Sequence, residues 1–158
     1  MNLKIIYALV LTILPISELR FGLPVALSYA MDEGVPIALV FSLVVFLNIL
    51  LVFFVFYFLD RIHSFLLNIK IYRKFFEFYL RRLQRRIDKF EARYSSQGFL
   101  ALALFVAVPL PGTGAWSGCL VAWLLGLERK KSLLAISIGV AVAGILILVG
   151  TLGAFRFF

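Results

Sequence analysis

Two stretches of the chain, Pro36 to Leu59 and Ser132 to Phe155, each run for 24 residues without a charged side chain. Each is long enough to cross a hydrocarbon core of about 30 Å as a helix. Each is also preceded by an apolar stretch that is interrupted. From Ile5 to Met31 the interruptions are Pro15, Glu18, Arg20, Gly22 and Pro24; from Phe99 to Leu127 they are Pro109, Pro111, Gly112 and Gly114. Helical arms on either side of these breaks would have about 10 to 14 residues, or 15 to 21 Å at about 1.5 Å per residue. Arms that short suit a re-entrant hairpin, which enters and leaves the bilayer on one side.

Aligned on Pro15 and Pro109, the halves share an order of features: a proline-led break, an apolar arm, a charged turn and a spanning helix. Because each half contains one full crossing, the second half must sit upside down relative to the first. The expected fold class is therefore an all-α integral membrane protein forming a single membrane domain, 1–158. Repeat 1 (1–59) holds hairpin 5–31 and helix 36–59, and repeat 2 (99–158) holds hairpin 99–127 and helix 132–155. The linker between them, 60–98, has a different pattern. Leu66, Ile69, Phe76, Leu80, Leu83, Ile87 and Phe90 recur at spacings of three and four, with basic residues mostly on the other faces. This predicts an amphipathic helix lying on the membrane surface, interrupted near Asn68. Positions 69, 76, 83 and 90 also form a heptad set, so a dimerising coiled coil is the alternative, with Arg73 interrupting its second stripe.

Charge fixes the orientation of these elements. Of 16 lysines and arginines, ten lie between Arg61 and Arg93. Flanked by membrane segments, that patch points to anionic lipid head groups rather than to nucleic acid. The positive-inside rule makes the linker 60–98 cytoplasmic in a multi-pass protein of the plasma (cell) membrane. A full crossing by 99–127 would strand Arg129, Lys130 and Lys131 outside, whereas a hairpin returns them inside. Asp32 and Glu33 then fall in an external loop. Lys4 followed by apolar residues imitates a signal peptide, but no small-residue cleavage pattern follows, so this segment is kept as mature sequence. With 63% apolar residues in 158, the chain has no room for a separate soluble catalytic module.

Glu18 and Arg20 are the only charged residues inside either broken stretch. A charge at membrane depth costs at least ~2.5 to 3.5 kcal/mol, so such residues face a cavity or each other. Arg20 offers a planar fork suited to phosphate or carboxylate. Glu18 can carry a proton and couple its movement to transport. A structural ion pair pinning the hairpin is the alternative use of the two, and their spacing places them on one face only if the backbone there is extended. At the second break, the backbone N–H groups of Gly112 to Ala115 and the hydroxyls of Thr113 and Ser117 can form an anion cradle at the start of the returning helix. Trp116 either walls the cavity or anchors in lipid. Cys119, the sole cysteine, is expected to be a small packing residue, and His63, the sole histidine, an interfacial one. No metal-binding cluster, catalytic triad, phosphate-binding loop or cofactor motif is present, so an enzyme is not expected.

Taken together, the two breaks resemble those of the small multidrug export protein family, related to the DedA superfamily of membrane proteins. The resemblance rests on Pro15-Ile-Ser-Glu18-Leu-Arg20-Phe-Gly-Leu-Pro24 and Pro109-Leu-Pro111-Gly-Thr-Gly114-Ala-Trp116. It implies two oppositely oriented re-entrant hairpins and a role in moving a substrate across the bilayer. For the wider superfamily it implies the handling of lipids or lipid carriers, polyprenyl phosphates included. A basic residue is expected at the second hairpin of DedA relatives; Pro109 to Trp116 has none, which leaves Arg20 alone. The leading expectation is a proton-coupled, homodimeric transporter of an anionic amphiphile such as a lipid phosphate. The alternatives are an exporter of cationic or hydrophobic small molecules, and a membrane organiser acting through the basic helix.

Overall fold

The computed structural model describes residues 3–15, 17–62, 68–71, 73–74, 76–78, 81, 98–110 and 112–157. His63, Pro111 and most of the basic linker lie outside these residues. The described residues form six helices of ten residues or more: α1 (Leu3–Ile13), α2 (Glu18–Asp32), α3 (Ile37–Arg61), α4 (Gly98–Ala107), α5 (Ala115–Leu124) and α6 (Arg129–Phe157). No strand occurs among them. In the linker, the described residues from 70 to 81 are helical, Glu77 pairs with Arg73 and Arg81, and Phe76 packs on the core.

Among the described residues, α3 and α6 are the helices long and apolar enough to cross a membrane. They exceed the uncharged windows because their polar ends are anchored. Asp60, at the end of α3, accepts hydrogen bonds from Arg129 at the start of α6 and from the Trp123 indole, and the Arg129 guanidinium stacks over the Phe56 ring. At the other end, a side chain at Gly144 of α6 would meet Val45 and Phe41 of α3 at 3.1 and 3.3 Å. The two long helices therefore run antiparallel.

The shorter helices fold back beside them. Gly98, which opens α4, lies beside Leu127, which follows α5; the chain from 98 to 127 thus returns to the end at which it started. The α1–α2 pair packs tightly enough that a Cβ on Gly22 would lie 2.8 Å from the backbone of Thr12. In both halves the second short helix stops in the same way. Gly34 and Gly126 take left-handed φ values of 68° and 61°, and the next residue donates back five positions, Val35 to Ala30 and Leu127 to Ala122. That is the Schellman stop, for which glycine is suited because it has no Cβ to clash.

One expectation is corrected. Gly22 and Pro24 do not break the first apolar stretch, because α2 runs through both. The break lies between Ile13, where α1 ends, and Glu18, where α2 begins. Gly22 serves instead as the contact point with α1, and a single proline in the early turns of a packed helix is tolerated because tertiary contacts outweigh propensity.

Candidate functional site

The two breaks meet. Asn48 of α3 and Val140 of α6, each about 16 Å from the start of its helix, line a small cavity with Glu18, Arg20 and Gly114. Its volume is about 10 Å³, on a scale where one water needs about 10–15 Å³. The site therefore lies about half-way along both long helices and has room for about one water molecule.

The first break delivers the two charges. Pro15 and the Ser17 turn end α1, and the Ser17 hydroxyl donates to the Leu11 carbonyl. Glu18 then takes a φ of 45°, the only positive value at a non-glycine among the described residues. A left-handed glutamate costs on the order of 1–3 kcal/mol, a strain that persists only where surrounding contacts enforce it. This turn, rather than an extended backbone, is what brings Glu18 and Arg20 to one cavity.

Both charges reach across to the second break. Glu18 is 6% exposed, and its Oε1 accepts from the Trp116 backbone N–H at 3.1 Å, at the start of α5. The first N–H groups of a helix have no partner within it and carry the positive end of its dipole, so a carboxylate there is doubly favoured. Arg20 Nη2 donates to Thr113 Oγ1 at 2.6 Å and to the Val108 carbonyl at 3.3 Å. Thr113 in turn bonds back to the Val108 and Leu110 carbonyls at 2.7 and 2.9 Å, closing the turn that holds Pro109 and the left-handed Gly112.

The anion cradle expected around Gly112 to Ser117 is thus not an open site. Its helix start holds the protein's own carboxylate. Gly114 is what makes room, since a Cβ there would overlap Glu18. Trp116 neither simply walls the cavity nor only meets lipid: its indole donates to the Ile13 carbonyl at the end of α1, at 3.0 Å, which ties the breaks together. Gly112 is exposed and Ser117 is buried within α5. Cys119 is buried against α3.

Asn48 was not among the residues anticipated. It is 1% exposed, its Nδ2 donates to Val44 at 3.0 Å, and its Oδ1 has no partner. The available signal was an amide in the uncharged run Pro36 to Leu59, which a scan for charges passes over.

Residues 18–146, from Glu18 at the start of α2 through the second break and into α6, match the model of the family described as "Putative small multi-drug export protein". No curated protein and no solved structure matches the chain.

Proposed function

The chain belongs to the small multi-drug export protein family, and on that premise we propose that it carries an anionic amphiphile, such as a lipid or polyprenyl phosphate, across the bilayer. Family and paired apolar helices make it a small membrane export protein. The observation that carries the substrate class is the meeting of Arg20 and the α5 N-terminus near mid-membrane. A guanidinium and a helix N-terminus are both suited to phosphate. In this reading α1–α2 and α4–α5 are opposed re-entrant hairpins of two inverted repeats, and the antiparallel α3 and α6 carry the repeats through the bilayer. Glu18 carries the proton. The linker is cytoplasmic, with residues 61–93 on anionic head groups, and a second copy of the chain in the plasma membrane shields the hairpins from lipid.

The test is transport of labelled lipid phosphates by protein reconstituted in liposomes. Arg20→Ala should lower the rate at least tenfold, as expected for loss of an interaction with an ionised group. Glu18→Gln should transport without dependence on a pH gradient; a variant that keeps the full dependence removes the proton role. The family's description as multi-drug exporters and the buried Glu18 carboxylate favour a second reading, export of cationic compounds. There Glu18→Ala should abolish binding of the cation while Arg20→Ala spares it.

A further inference from the structure

Asn48 presents a buried acceptor that the resting arrangement leaves unused. A buried amide oxygen without a donor costs about 1–3 kcal/mol, and such groups in native proteins have a reason. Turning the amide end for end does not remove the problem. It would set Oδ1 against the Val44 carbonyl, two acceptors face to face, in place of the Nδ2 hydrogen bond at 3.0 Å. The chemistry Asn48 awaits is therefore a hydrogen-bond donor.

The cavity that Asn48 lines offers two further polar side chains, Glu18 and Arg20. Arg20 is directed to Thr113 and Val108 on the second break. Glu18 in its ionised form has no hydrogen to give, but in its protonated form it is a strong O–H donor. We propose that Asn48 is the acceptor for the proton-loaded form of Glu18, so that Glu18 and Asn48 together form the proton site of this protein. Ionised, the carboxylate accepts from the start of α5. On taking a proton from a hydronium ion, which leaves as water, it no longer gains from the helix dipole, gives up the Trp116 N–H hydrogen bond, crosses the small cavity and donates its O–H to Asn48 Oδ1.

The charged and titratable groups facing Glu18 are Arg20 on its own helix and Cys119 on α5; among the described residues α3 and α6 line the cavity with Asn48, Val140 and Ala143. Protonation of Glu18 thus exposes the α5 N-terminus, beside Arg20, to an incoming anion. Proton and anion then load together. This rests on Glu18 as the proton carrier, but its test needs no substrate.

The experiment is an infrared pH titration of the purified protein in phospholipid bilayers. The protonated carboxyl band that Glu18→Gln removes belongs to Glu18. Asn48→Val, similar in volume and lacking an acceptor, should move that band to the higher frequency of a carboxyl without a hydrogen-bond acceptor. It should also lower the pH of half-protonation by about one unit, while Asn48→Thr, which keeps an oxygen, stays close to wild type. A band in Asn48→Val unchanged in frequency and midpoint overturns the proposal. A second measurement needs no substitution near the cavity. With carbon-13 in the side-chain carbonyls of the three asparagines, one signal in solid-state NMR should shift with the Glu18 midpoint. Three signals independent of pH overturn the proposal equally.

Discussion

Replacing Gly22 with leucine should leave a protein that no longer holds α1 against α2, and even Gly22→Ala should lower the melting temperature in detergent by on the order of 5 °C. A Cβ at this position meets the backbone nitrogen and Cα of Thr12, each at 2.8 Å. Those atoms belong to a helix and cannot rotate away, so relief requires α1 as a whole to move. That movement has a second cost. The end of α1 supplies the Ile13 carbonyl to the Trp116 indole and leads directly into the strained Glu18, so displacing it disturbs the cavity as well. Gly150→Leu is the control, because nothing lies within 4 Å of a Cβ there. Thermal unfolding of wild type and the three variants, followed by fluorescence-detected gel filtration, makes the comparison. Equal melting temperatures for wild type and Gly22→Leu would show that the α1–α2 contact does not hold the first half together.

The same glycine shows where sequence reading ends. The long helices α3 and α6 are legible because length and absence of charge are sums over a window, insensitive to any one contact. Pro15 and Pro109 are legible as breaks, since each is followed within a few residues by other poor helix formers. Gly22 and Pro24 carry the same local signal, yet α2 runs through them. A glycine that ends a helix and one that admits a neighbouring helix are identical in sequence, and only the packing partner separates them. Glu18 and Arg20 stand out because charge is rare at that depth. That Glu18 would occupy the very helix start expected to hold a foreign anion required knowing that residues 18 and 116 touch. Asn48 is quieter still: its meaning lies in an unmade hydrogen bond, and a sequence carries no record of those.

The contact between Glu18 and the start of α5 gives the other large expected effect. Glu18→Ala should destabilise the protein by about 3 kcal/mol, in the range for removing one member of a buried charge arrangement, since it leaves helix N–H groups and the Arg20 side of the cavity without their anion. Gly114→Ala should reproduce much of that loss with the carboxylate still present, because the added Cβ occupies the space of the Glu18 carboxyl group. The two substitutions lie in different halves of the chain, and if they act through one contact their costs cannot add. Once Glu18 is truncated the Cβ at position 114 meets empty space, so Gly114→Ala in the Glu18→Ala background should cost about 0.5 kcal/mol or less. A coupling of 1 kcal/mol or more between them, measured by chemical unfolding of the four proteins, is the expected sign of direct interaction. Strict additivity would mean that the carboxylate and the glycine contribute independently, and the picture of a carboxylate held at the start of α5 would fail. The proton site fails with it, because the movement of Glu18 to Asn48 begins from that hold.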